Sequence, residues 1–356
     1  MNDACRELAS IAFYKPFQTV QICYASLAGV TVLLIAYILK SHVWTSTYHS
    51  CFKLLLTVYF SAIVVQNLFY IAGFTVLFQR IRAFRADCDI LFPKYLYMVA
   101  HLPAVLSLLI YMFCQTALVI ERTVATLKYK NYETYQSTTY QLFFISFVRA
   151  ISVYSHDVTT FFKTGILPMI SLIWAYHECD FNHPVITSLT PPMNVDNRLN
   201  GIFILSFSFS VLALLALLCY VLPMNRKLEA KIESNLSSRF QILENITTTT
   251  IMSQMLILNM VFTIIYSGGT YVLLNHQFEI FANNQPLLSF TKSLFYLPPI
   301  NGFVVSMVSI LQISRKRRKR VEKTTSIVMM ATRGREGGEN YLKMLDEQWN
   351  AEQKLA

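Results

Sequence analysis

The chain has 356 residues, 54% of them hydrophobic and only 14% charged, and its mean hydropathy is positive. That leaves too little polar material to coat a water-soluble globule, and the apolar residues fall in runs of about 20, the length that crosses ~30 Å of hydrocarbon. The net charge of +10 does not point to nucleic acid. The basic residues gather between and after the apolar runs, most densely at Arg315, Lys316, Arg317, Arg318, Lys319 and Arg320, an arrangement that suits cytoplasmic loops and an anionic inner leaflet.

Residues 1–16 form a near-neutral segment that reads as an extracellular N-terminus. No small-residue cleavage site follows the first apolar run, so that run is expected to stay in the membrane. Spans are expected over about 17–39, 54–79 and 95–120, then over 199–222, 249–274 and 288–313. Pro223 is expected to close the fifth, since proline cannot continue the helical hydrogen bonding. The stretch 140–179 is apolar but carries Arg149, His156, Asp157 and Lys163. A span over 158–176 keeps Lys163 near one end, where it can snorkel, whereas a span over 141–162 buries Arg149. The first is preferred, and 134–157 is then a long second cytoplasmic loop. The total is seven. An eighth span would export the loop with Arg226, Lys227, Lys231 and Arg239, against the positive-inside rule. The expected fold is therefore an all-α membrane protein, a seven-transmembrane helix bundle with its N-terminus outside and a cytoplasmic C-terminal tail over 314–356. The loop 80–94 fits this orientation worst, with Arg80, Arg82, Arg85 and Lys94 on the outside.

The seven cysteines show no metal-ligand spacing, and no cofactor motif is present. Cys88 and Cys179 fall on the same outer side, where a disulfide can form, and are expected to pair. Cys5 is left as an odd outer cysteine. Sequons at Asn235 and Asn245 fall on the cytoplasmic side, out of reach of the glycosylation machinery.

Two polar clusters stand at the inner ends of spans. Glu121-Arg122-Thr123-Val124-Ala125-Thr126 ends the third, and Arg239-Phe240-Gln241-Ile242-Leu243-Glu244-Asn245 precedes the sixth at helical spacing. Interfacial charges often just terminate a helix. The alternative is a switch, in which the Arg122 guanidinium, held by Glu121 and facing Glu244, keeps the inner face closed to a G protein.

These two strings, with Tyr132-Glu133 and with Leu297-Pro298-Pro299 followed by Asn301-Gly302 in span seven, resemble the signatures of nematode serpentine chemoreceptors. The match is to the Sra superfamily, class ab, and extends over about Cys5 to Ser314. The resemblance implies a G-protein-coupled receptor that detects an external small molecule and activates a heterotrimeric G protein, at the plasma membrane and typically the ciliary membrane of a sensory neuron. It places coupling at Glu121, Arg122, Arg239 and Glu244. The long stretch after Glu133 departs from the family's compact second cytoplasmic loop.

Candidates for a ligand pocket in the outer halves of the spans are His101, Tyr271, Lys292 and Tyr296. Each also suits plain packing or interhelical hydrogen bonding, and Lys292 lies close enough to the surface to snorkel. The rival class is a small transporter or channel. No internal repeat and no mid-span carboxylate supports it, and no set of partnered nucleophiles or acids suggests an enzyme.

Overall fold

The computed structural model describes residues 2–46, 48–127, 167–177, 179, 181, 185–187, 191–231, 236–281, 284–332, 338–339 and 341–342. The chain divides into two compact units, Met1–Met307 and Val308–Ala356. The described part of the second is helical, continuing the last helix to Thr332, and carries Arg315 and Arg318 exposed.

The helices in chain order are α1 (Asn2–Ala12), α2 (Lys15–Ile38), α3 (Ser50–Arg82), α4 (Lys94–Leu127), α5 (Leu167–Tyr176), α6 (Met193–Ala216), α7 (Leu222–Lys231), α8 (Leu236–Phe281), α9 (Gln285–Phe295) and α10 (Pro298–Thr332). Among the described residues, six stretches are long and apolar enough to cross a membrane: Lys15–Val43, Ser50–Arg82, Cys88–Leu127, Val195–Glu229, Gln241–Leu273 and Gln285–Arg315. Of the fourth expected span, over 158–176, the described part is the short apolar helix α5, which packs against α4 and α6. The loop assigned to 134–157, with Arg149, lies outside the described residues.

The bundle is inverted relative to a soluble protein. Leu33, Ile173 and Leu212 stand more than 60% exposed on its outside, where lipid costs an apolar side chain nothing. Thr31, Gln66, Asn67, Ser107, Asn259 and Asn301 are buried inside. Between membrane helices the hydrophobic effect is absent, so close packing and interhelical hydrogen bonds hold the helices together.

Two proline sites shape the bundle. Pro223 does not end the helix of the fifth span as expected. The helix passes through a π turn over Leu217–Val221 and runs on as α7 to Lys231, with Pro223 just after the wider turn, the kind of local widening at which a helix accommodates a missing amide. In span seven, Pro298 and Pro299 break the helix into α9 and α10. Pro298 has no amide to donate to the Leu294 carbonyl, and the Tyr24 hydroxyl of α2 donates to it instead at 3.0 Å. Tyr70 stacks on Tyr296 beside the break, with centroids 5.7 Å apart.

At one end of the bundle, α1 folds over the turn Asp87–Ile90, and Cys5 forms a disulfide with Cys88, the two Cα atoms 5.0 Å apart. This replaces the expected Cys88–Cys179 bridge, and Cys179 keeps its thiol. The reason is that residues 2–12 form a helix whose Ile11 and Ala12 pack with Leu77, Ile90 and Phe92, bringing Cys5 to the turn. Arg80 donates to the Asp89 and Leu91 carbonyls of the same loop at 2.9 and 2.6 Å.

Candidate functional site

The ends of α3, α4, α7 and α8 remote from α1 converge on Arg122. Its side chain is wholly buried. Its Nε and Nη2 donate to the two carboxylate oxygens of Glu121, both at 2.5 Å, the two-pronged geometry that suits guanidinium and carboxylate. Sequence neighbours on a helix point about 100° apart, so the long Arg122 stem has to curl back to make this pair. The remaining nitrogen, Nη1, reaches across to α8 and donates to Asn245 Oδ1 at 3.1 Å and Thr248 Oγ1 at 3.0 Å. The Phe52 ring of α3 covers the guanidinium, 4.4 Å from Cζ to centroid, adding a cation–π contact in a water-poor site.

Two flanking contacts fix the helices around it. Asn225 of α7 donates to Thr126 Oγ1 at 2.9 Å, and Thr126 donates to the Arg122 carbonyl at 2.9 Å. Glu244 accepts the His49 backbone N–H at 2.9 Å, at the N-terminus of α3, where the helix dipole favours a carboxylate.

Of the residues expected at the switch, Glu121 and Arg122 are brought together. Glu244 is placed beside them, yet its carboxylate serves α3 and the arginine's partners on α8 are its neighbour Asn245 and Thr248. Those two lie three apart on one helical face, and Asn245 stood within the motif, so the signal was present but attached to the charged residue. The side chain of Arg239 lies outside the described residues. Phe52 and Asn225, on other helices, carried no sequence signal.

Three to four turns above Arg122, at about 1.5 Å per residue, a second polar chain crosses the bundle interior. Asn301 donates to the Tyr111 hydroxyl at 2.5 Å, Tyr111 donates to Asn259 Oδ1, and Asn259 donates to the Tyr59 hydroxyl at 3.0 Å. Beside it is a cavity of ≈ 50 Å³ walled by Ile63, Leu108, Tyr111, Phe203, Phe262 and Asn301 among others. A neighbouring cavity of ≈ 30 Å³, on the side away from Arg122, shares Leu108, Phe203 and Tyr266 and reaches His101 and Tyr296. Of the four pocket candidates, these two line it. His101 is also stacked on Tyr97 and hydrogen bonds with the Tyr176 hydroxyl. Lys292 lies within electrostatic reach of Asp196, a partner not foreseen. Tyr271 is 61% exposed and lines neither cavity: its position on α8 faces outward.

Over residues 2–349 the sequence matches the family described as the serpentine type 7TM GPCR chemoreceptor Sra. The chain belongs to that family. It is 37% identical over 347 residues to serpentine receptor class beta-16 of Caenorhabditis elegans, covering 98% of this chain and 96% of the relative. Serpentine receptor class beta-17 of the same organism is 23% identical over 98% of this chain and 91% of its own length, and class beta-3 is 22% identical over 98% and 97%. These relatives carry the name class beta, where the motifs led to an expectation of class ab. The seven-helix membrane architecture and the receptor character are thus those of the family, and the match extends over the whole bundle.

Proposed function

We propose that this serpentine receptor is a G-protein-coupled chemosensory receptor of the plasma membrane, nearer class beta than class ab, which detects an external small molecule and activates a heterotrimeric G protein. The observation that carries this is Arg122. A guanidinium with no exposed surface, clasped by its own helix and hydrogen bonded across to α8, ties the inner ends of α4 and α8 together. A buried ion pair adds little net stability, yet removing one partner strands a charge at a cost of ~3–5 kcal/mol. Such a contact suits a two-state element better than a static brace. Parting α4 from α8 releases Arg122 towards the cytosol and opens a cavity there.

The N-terminus is outside in this proposal. The Cys5–Cys88 disulfide calls for an oxidising compartment at the α1 end. The arginine that argued most against this, Arg80, is occupied with loop carbonyls and so acts as a structural cap at that end. The basic run Arg315–Arg320 then lies along the inner leaflet.

The test is ligand-independent nucleotide exchange on purified heterotrimeric G proteins, with the full-length receptor in nanodiscs. Glu121→Gln, which leaves the buried guanidinium without its counter-charge, is expected to raise exchange several-fold, and Arg122→Ala to change it in either direction. Native exchange rates in both variants, at matched amounts of folded receptor, would sink the switch.

A further inference from the structure

Taking the receptor reading above as the starting point, we infer that the bundle cavity binds a small uncharged molecule bearing a hydrogen-bond donor on an apolar body, an alcohol or a phenol, and that Asn301 Oδ1 is the atom that receives the donor.

The direction of the interior hydrogen-bond chain carries this. The Asn301 amide nitrogen donates to Tyr111, whose hydroxyl donates onward to Asn259, whose amide donates to Tyr59. With its nitrogen committed, Asn301 presents its carbonyl oxygen as an acceptor. That oxygen is buried, and among the described residues it has no hydrogen-bond partner. Asn301 is 8% exposed and lines the ≈ 50 Å³ cavity. An unmade acceptor bond in such a place costs ~1–3 kcal/mol, a cost that a donor entering the cavity removes. An acceptor-only ligand leaves that oxygen unmatched. A charged one has no counter-ion in the wall, where Ile63, Leu108, Phe203 and Phe262 face the space.

Size sets the second limit. The space beside Asn301 holds a few waters at most, and it meets the neighbouring ≈ 30 Å³ cavity across Leu108, Phe203 and Tyr266. A ring or a short chain therefore fits only by parting those side chains, which lie on α4, α6 and α8. The cavity sits directly above the Arg122 site on α4 and α8, so a ligand that parts them at this level bears on the contact below.

The experiment measures binding, not signalling, so it can fail while the G-protein proposal stands, and the reverse. Purified full-length receptor in nanodiscs is melted with millimolar benzyl alcohol, phenol, cyclohexanol or 1-hexanol, each against its parent hydrocarbon and against the ammonium or carboxylate analogue. The Leu108→Trp variant, which fills the space and leaves Asn301 in place, serves as the blank for partition into lipid. At least one alcohol is expected to raise the melting midpoint above that blank, binding about fivefold tighter than its hydrocarbon, the weight of one ordinary hydrogen bond. Asn301→Leu should abolish that preference. Should Asn301→Leu fail to fold, the alcohol-over-hydrocarbon difference between native receptor and Leu108→Trp decides. Equal shifts for alcohol and hydrocarbon, stronger binding of a charged analogue, or no shift beyond the blank with any probe would each overturn the inference, the last showing that the cavity serves only water.

Discussion

Replacing Asn245 by alanine removes one of the two bonds that carry Arg122 across to α8 and leaves its pairing with Glu121 in place. The bond lost is the 3.1 Å contact from Arg122 Nη1, together with a longer 3.3 Å contact from Asn245 to the Ala125 carbonyl. A hydrogen bond to a charged group is worth ~1.5–3 kcal/mol in soluble proteins, whereas interhelical polar contacts in membranes average ~0.6 with a maximum near 1.7. A value of about 1.4 kcal/mol, just under the first range and inside the second, multiplies the ratio of active to resting receptor tenfold. From a resting population of about 1% active, a typical minor-state share, the variant should reach about 9%. Basal nucleotide exchange on the G protein, measured at equal surface receptor, should rise accordingly. Thr248→Ala should act in the same direction, and the double variant should fall short of the sum, because both partners share one nitrogen. Basal exchange at or below the native level in Asn245→Ala, with normal surface expression, would refute the reasoning that this contact holds the resting state.

Three further outcomes follow from packing and covalent structure. Cys5→Ser and Cys88→Ser should lower the melting midpoint equally, the pair no further than either alone, while Cys179→Ser leaves it unchanged. The bridge spans 83 residues, for which chain entropy sets a ceiling of about 4.5 kcal/mol, and membrane helices that stay formed on unfolding keep the effect below it. Tyr24→Phe strips the donor from the Leu294 carbonyl that Pro298 cannot serve; a loss of about 1–2 kcal/mol is expected in thermal melts, with no equivalent effect from Tyr220→Phe on the exposed face. Gly302→Val should reduce folded receptor sharply. A Cβ there already meets Ile63 Cγ2 at 2.9 Å and Thr31 Cγ2 at 3.3 Å, an overpacking worth ~1–3 kcal/mol, whereas Gly201→Ala, with open space around it, should be silent in the same fluorescence size-exclusion assay.

Much of the architecture was legible before any coordinates. Apolar runs of membrane length, with charges at their ends, determine that the chain crosses the bilayer many times, because hydrocarbon tolerates only segments whose backbone polar groups are satisfied internally. The same logic located Glu121 and Arg122 near the end of a helix. It misjudged Pro223, whose place in the first turn of α7 depends on a π turn that no propensity announces. It also misjudged Cys88, because the pairing was decided by which segment folds over the turn at Asp87–Ile90, and residues 1–16, read only as a near-neutral segment, gave no sign of a helix docking there.

What the tertiary structure alone decided is who touches whom. Glu244 and Asn245 are adjacent, and a charge count favours the glutamate as partner of Arg122, yet they point to different neighbours: Glu244 to the start of α3 and Asn245 to the guanidinium. Tyr271 and Tyr296 have the same side chain, yet Tyr271 faces out and Tyr296 lines a cavity. Sequence determines the period and apolarity of each helix, properties of a single segment. The rotation of each helix about its axis is set by packing against several others at once, and that rotation turned Asn301 inward to leave one buried oxygen unmatched.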